Sequence, residues 1–429
     1  MNLSGKELAI NGGSPIRTQG WKDNWSTGRE EKTAVCRVLD SGYLSMFEGS
    51  HVPDPPFSFF GGPEVQNLEQ EWCAYYEVDY AVSVNSATSG LYAAIGALEL
   101  GYGDEVIVSP YTMTACAMAP LIYGAIPVFA DVEEATGCLD TSSIRACLTK
   151  RTKAILVVHQ FGIPADMDEI TKIARENNLK VIEDCAQAHG AMYKGQPVGT
   201  IGDIGVFSLN VNKTIQSGEG GVCTTNDKDV AYRLSLIRNH GEAVVGPAEY
   251  QNIVNIAGFN FRLTEIQAAI AREQLKKLNT LNKHRLELVE ALSERLAKIP
   301  FLTVPSGRCD CLSTYYVYPL LFDENSAGVS RHAFVSAVNA EGALFYEGYV
   351  RPLYLQPVYQ QKTLFKHGYP FSAIENQGSA ADYREGLCAT AEKLHNHRML
   401  INEHIRFPHT LEDIRELAKC VEKVANNAP

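Results

Sequence analysis

Between residues 80 and 209, short apolar runs recur at regular intervals and are separated by stretches whose apolar positions fall three or four residues apart. The runs are YAVSV (80–84), EVIVSP (105–110), IPVFADV (126–132), AILVVH (154–159), KVIEDC (180–185) and DIGVFSL (203–209). They are too short for helices and too continuously apolar for strands with one wet face, so each predicts a strand buried on both sides. The intervening MDEITKIARENN (167–178) has the period of an amphipathic helix. Strands alternating with such helices predict an α/β fold, a largely parallel sheet with helices on both faces. Ligands of such sheets bind beyond the carboxyl ends of the strands.

The pattern changes on either side. Residues 1 to about 50 read as an extended arm followed by a helix, GREEKTAVCRVLDSG. From Leu263 to about Ile299 the sequence is helical with a charged outer face, long enough to bridge two domains. Beyond it, STYYVYPLLF predicts a strand and RHAFVSAVNAEG a helix of a smaller α+β domain. The expected division is an arm and helix over 1–50, a large domain over 51–290 and a small C-terminal domain over 291–429. The loop HVPDPPFSFFGGPEV, with Phe57, Phe59 and Phe60, is expected to cover a site or a partner chain. Residues 106–130 carry no charge and match a membrane span in length, but Pro110, Pro120 and Pro127 divide them. A buried strand–helix–strand is the better reading, and no membrane partner is expected.

Composition narrows the classes. The formal charge of −12, with Lys and Arg scattered, argues against a nucleic-acid or anionic-membrane surface. The N-terminus MNLSGKELAINGGSP lacks an apolar core of the signal-peptide kind, and the eleven cysteines follow no framework spacing. Cys309 and Cys311 stand too close for an ordinary metal site and lack a second ligand pair. Reduced thiols, a cytoplasmic location and no metal are expected.

Three strand ends carry chemistry. After the first run, Ser86, Ala87, Thr88 and Ser89 open a helix, which gives either an ordinary N-cap or a phosphate site. The fifth run ends in Glu183 and Asp184, where a buried carboxylate needs a cationic or hydrogen-bonding partner. The sixth ends at Ser208 and leads to FSLNVNKTIQSGEGG (207–221), in which Lys213 precedes its glycines. A phosphate-loop lysine follows them, so that use fails on order. A phosphate site, a carboxylate and a lysine at the ends of one parallel sheet are what pyridoxal 5′-phosphate requires. The lysine holds its aldehyde as a Schiff base, and the carboxylate keeps the ring nitrogen protonated.

With EDCAQAHGA (183–191), GTIGDIGVFSLNVNKTIQSGEGGVCTTND (199–227) and GFNFRLTEIQAAI (258–270), the chain resembles the DegT/DnrJ/EryC1/StrS sugar and cyclitol aminotransferases, of PLP fold-type I. The resemblance runs from about residue 7 to 290 and more weakly onward. It implies a large, mainly parallel sheet of the seven-stranded type and a smaller C-terminal domain. It implies Lys213 as Schiff-base lysine and proton carrier, Asp184 on the pyridinium nitrogen and Gln187 on the phenolic oxygen. Ala87, Thr88 and Ser208 would hold the phosphate. Asn260 would reach the cofactor of a second subunit, making a homodimer with shared sites, and Arg262 would face that same site.

Two positions depart from the family pattern. Pro110-Tyr111-Thr112-Met113 places Met113 where an aromatic usually stacks on the ring, leaving Met113 or Tyr111 for that contact. Ala87 replaces a glycine, which requires a negative φ there. LAINGGSPIRT and HNHRMLINEH resemble most the inosose aminotransferases and aminohydroxybenzoate synthases. The resemblance implies a ketosugar or keto-cyclitol acceptor and glutamine or glutamate as donor. Tyr346, Arg351 and His395 are candidate substrate contacts. The alternatives are a PLP-dependent dehydratase of the aminohydroxybenzoate-synthase kind and a non-catalytic PLP-fold sensor. Sugar dehydratases of this fold replace the lysine with histidine, and a sensor would show an appended DNA-binding region.

Overall fold

Each of the six apolar runs is a strand in the computed structural model, which describes residues 3, 5–50, 55–379 and 381–429. They are β1 (Tyr80–Val84), β2 (Glu105–Val108), β3 (Ile126–Phe129), β4 (Thr152–Val158), β5 (Lys180–Asp184) and β6 (Ile204–Ser208). A seventh, β7 (Gly221–Thr225), was not foreseen: GVCTT has one bulky aliphatic residue and two threonines, too weak an apolar signal. The sheet order is β1-β7-β6-β5-β4-β2-β3. Neighbours from β6 to β3 pair in parallel, whereas β7 runs antiparallel to both β1 and β6. Six strands therefore point the same way, and their carboxyl ends share one edge.

Separate apolar clusters cover the two faces of the sheet, one built on Leu91, Ile95 and Leu156, the other on Trp72, Ile155 and Phe207. The uncharged stretch after β2 is indeed strand, helix (Ala115–Ile122) and strand. Among the described residues no helix is long and apolar enough to cross a membrane. Residues 265–296 form one helix, opened by a capping box in which Thr264 Oγ1 accepts from the Gln267 N–H. Its first half packs on the large sheet through Ala271, Leu275 and Leu278. Its second half, through Leu288, Leu292 and Leu296, supports a four-stranded sheet formed by Leu302–Thr303, Tyr318–Phe322, Tyr346–Glu347 and Met399–Asn402.

Leu3 and Leu8 of the arm join this second cluster. Residues 51–54 of the phenylalanine loop lie outside the described residues. The three phenylalanines of that loop part ways. Phe59 is buried against Leu236 and Val244 of its own chain, while Phe57 and Phe60 remain 38% and 42% exposed.

Candidate active site

The helix Ala87–Ala97 begins directly after β1, and the two readings of its start are compatible. Ser86 Oγ caps it by accepting the Ser89 N–H at 3.1 Å, while Ser86, Ala87 and Thr88 line a cavity. Ala87 has no positive φ, so its methyl group is tolerated where a glycine is usual. The approach of this helix to the sheet depends on Gly221, which pairs with Val84 on one side and Ser208 on the other. A Cβ at Gly221 would lie 2.8 Å from the Ala87 nitrogen and 2.9 Å from the Phe207 oxygen. Any side chain there would push the helix start away from the strand ends.

The cavity, about 360 Å³, brings together Ala87, Thr88, Met113, Asp184, Gln187, Ser208 and Lys213. Asp184 is 6% exposed and already committed to its orientation. Its Oδ1 accepts the Ala186 N–H at 2.9 Å and its Oδ2 accepts the Cys116 thiol at 3.0 Å. Burial, reinforced by the Asp184 charge, pushes the Cys116 thiol well above its usual range, so it stays a donor. Lys213 is half-buried, with Nζ 4.3 Å from the centre of the Tyr316 ring, a cation–π contact. Its carbonyl and that of Val211 accept from Asn24 Nδ2, each at 2.9 Å, so the N-terminal arm grips the lysine loop.

Glu183 and Asp184 turn out to have opposite fates, because successive strand residues face opposite sides of the sheet. Glu183 is fully buried away from the cavity. Its oxygens accept the N–H groups of Gly199, Ile201 and Gly202 at 2.6–2.8 Å, and His159 Nε2 lies at 2.9 Å. Cys185 joins His159 and Glu183 in a cluster of metal-ligand type. The carboxylate is already saturated with donors, however, and burial followed by the neighbouring carboxylates pushes the Cys185 thiol far up. That chemistry suits structure rather than a cation.

Gln187 is also fixed. Its Oε1 accepts the Phe161 N–H at 2.8 Å and its Nε2 donates to the Tyr349 hydroxyl at 3.1 Å. Met113 is 54% exposed on the cavity wall, whereas Tyr111 is buried behind it, edge-on to Tyr349 and His395. Asn260 and Arg262 do not line their own chain's cavity; Arg262 Nε donates to Asn260 Oδ1 at 2.8 Å near the surface. Tyr346, Arg351 and His395 also stand outside the lining. Tyr346 and Arg351 are exposed, and His395 is half-buried with its basicity lowered by burial and then by Arg331 and Arg351.

Three neighbours of the cavity escaped the sequence reading. Tyr316 lay inside a predicted strand that in fact starts at Tyr318. Tyr349 sits between the Tyr346 and Arg351 that were singled out, and Cys116 had no motif to mark it.

The donor set suits a phosphorylated pyridine aldehyde. Hydroxyls of Thr88 and Ser208 and the unsatisfied first-turn N–H groups suit a phosphate, Asp184 suits a protonated ring nitrogen, and Lys213 suits an aldehyde.

Comparison with known proteins agrees with this chemistry. Residues 57–373 match the model of the DegT/DnrJ/EryC1/StrS aminotransferase family. The chain is 31% identical to L-glutamine:2-deoxy-scyllo-inosose aminotransferase of Streptoalloteichus tenebrarius over 97% of both proteins. It is 34% identical to the spore coat polysaccharide biosynthesis protein SpsC of Bacillus subtilis over 79% of this chain and 85% of that protein. Among solved structures, an aminotransferase from Psychrobacter cryohalolentis superposes with a TM-score of 0.80 at 30% identity, covering 96% of this chain and 99% of that one. Aminotransferases of this family depend on pyridoxal 5′-phosphate. The chain belongs to the DegT/DnrJ/EryC1/StrS aminotransferase family.

Proposed function

We propose that this enzyme moves an amino group from glutamine or glutamate to a ketosugar or keto-cyclitol, with pyridoxal 5′-phosphate held at Lys213. The observation that carries the reading is one cavity that unites Lys213, Asp184 and the start of the Ala87–Ala97 helix. When bound, the cofactor supplies an aldehyde that takes up amino groups and a ring that stores the electron pair released at the donor's carbon. Thr88, Ser208 and the N–H groups of the helix start would hold its phosphate. Asp184, held in place by Cys116 and Ala186, would keep the proton on the ring nitrogen. Lys213 Nζ would hold the aldehyde and, once freed by the incoming amine, take the proton from the donor's α-carbon. Met113 would pack its thioether against the ring face.

The choice of donor and acceptor rests on the relative named for L-glutamine and 2-deoxy-scyllo-inosose, which aligns along nearly the whole chain. Asn260 and Arg262, outside their own cavity, would complete the site of a second copy in a cytoplasmic homodimer, with Phe57 and Phe60 on the contact face.

The test is a matrix of donors (glutamine, glutamate, alanine) against cyclic ketones, following the loss of the cofactor's yellow colour and the aminated product. Donor-dependent bleaching without amination of any cyclic ketone would refute the acceptor class. No bleaching with any amino acid would refute the donor assignment.

A further inference from the structure

The turn between β4 and the helix Met167–Asn177 holds two successive residues in the left-handed region, Phe161 at φ 59° and Gly162 at φ 85°. Glycine enters that region freely. A buried phenylalanine there is an outlier, which persists only where its surroundings fix it.

What fixes it lies on two segments. The Phe161 N–H donates to Gln187 Oε1 at 2.8 Å. The carbonyls of the pair answer the other segment: Phe161 O accepts the Tyr316 N–H at 2.8 Å, and Gly162 O accepts the Thr314 N–H at 2.9 Å. The Phe161 ring stands edge-on to Tyr349, with 5.1 Å between centres. Gly162 has no room for a side chain. A Cβ there would lie 2.9 Å from the Gln187 carbonyl oxygen and 2.8 Å from the Tyr315 nitrogen. The pair is therefore a spacer between the Gln187 turn and residues 314–316, bonded to both.

Gln187, Tyr316 and Tyr349 line the cavity, whereas Phe161 and Gly162 stand behind its wall. The consequence falls on the Gln187 amide, which has one accepting oxygen and two N–H hydrogens. Its oxygen is taken by Phe161, and one hydrogen goes to the Tyr349 hydroxyl at 3.1 Å. The second hydrogen is left for the cavity. Turned over, the amide would set its NH₂ against the Phe161 N–H and offer the cavity an acceptor instead. A phenolic oxygen bearing negative charge needs the donor.

We propose that the left-handed pair Phe161-Gly162 is a positioning device, which locks the Gln187 amide with its N–H toward the phenolic oxygen of the cofactor. The device rests on the pyridoxal 5′-phosphate reading above. It acts through its backbone conformation rather than its aromatic ring, and neither residue touches the reacting atoms.

The experiment separates backbone from ring. Phe161→Gly and Phe161→Val both remove the ring, but glycine enters the left-handed region freely and a β-branched valine does not. Each holoenzyme, together with Gln187→Leu, is titrated across pH. Visible absorbance follows the proton on the nitrogen that joins Lys213 to the cofactor. That proton answers the phenolic oxygen when the protein does not, so loss of the Gln187 donor moves the transition upward. The expected rise is about one pH unit or more in Phe161→Val and in Gln187→Leu, and ~0.3 unit or less in Phe161→Gly. Phe161→Val added to Gln187→Leu should raise it no further, because both act through one bond. Gly162→Ala, whose methyl group parts Gln187 from Tyr315, takes the place of Phe161→Val should that chain not fold, with the same expectation. Equal shifts in Phe161→Gly and Phe161→Val overturn the proposal. An unchanged transition in Phe161→Val or in Gln187→Leu, or full additivity of the two, overturns it as well. A wild type that takes up no pyridoxal 5′-phosphate refutes the proposed function and the device with it. The expected shifts in an enzyme that aminates no ketone uphold the device while refuting the proposed acceptor.

Discussion

Replacing Glu183 with glutamine tests the separation of the two adjacent carboxylates. Glu183 accepts from Gly199 N at 2.8 Å, Ile201 N at 2.7 Å and Gly202 N at 2.6 Å, all around the turn that leads into β6. Its fourth partner is His159, whose Nδ1 already accepts the Ala165 N–H at 3.1 Å, so Nε2 carries the hydrogen and donates. Four donors therefore converge on one carboxylate. An amide offers a single accepting oxygen, and whichever way it is turned, its NH₂ faces two of these donors. At least two buried N–H groups lose their partner, at roughly 1–3 kcal/mol each, giving a loss of about 2–6 kcal/mol. Against a typical total of ~5–15 kcal/mol this is severe. Equilibrium denaturation in urea reads it as a fall in midpoint, while donor KM measured well below the transition should stay near wild type because Glu183 faces away from the cavity. A midpoint shift worth less than ~0.5 kcal/mol, or a selective loss of turnover, would refute the reasoning.

Other outcomes follow from the same geometry. Lys213→Arg should keep the fold and lose turnover, since a guanidinium does not take up an aldehyde at neutral pH; retained transamination would move that role to another lysine. Asp184→Asn should retain bound cofactor, read by absorbance, yet slow the donor half-reaction by more than tenfold, because a neutral amide cannot hold the ring nitrogen's proton. Acid should destabilise the protein through His189, which is 1% exposed and pushed down to about 3 by burial and then by the Lys213 charge. Below its ordinary value of 6.5 only the unfolded chain takes the proton, so stability falls from about pH 6.5 toward 3, by up to ~1.4 kcal/mol per pH unit; His189→Leu should flatten that slope in urea titrations. Mixing Lys213→Ala with Asn260→Ala chains, each inactive alone, should restore activity in one site of each mixed dimer, and proven mixed dimers without activity would refute the cross-subunit role.

What could be read in the sequence follows from how local each signal is. Six of the seven strands of the large sheet declared themselves because a strand buried on both faces must be apolar along its length. β7 did not, because its task is to let another element approach: Gly221 stands where a side chain would strike the backbone of Ala87. A residue chosen for what it lacks gives no hydrophobic signal. Asp184 stood out because it closes a strand, and Lys213 because it follows the end of another by five residues, each within a dense motif. Whether Glu183 or Asp184 served the site was open on the residues alone, since the answer depends on which face of the sheet each meets. Tyr316 and Tyr349 lie 103 and 136 residues beyond Lys213. The groups proposed to act on the cofactor are visible in the sequence, because they lie at or just after the ends of strands. The three substrate contacts guessed from local motifs, Tyr346, Arg351 and His395, all fall outside the cavity lining.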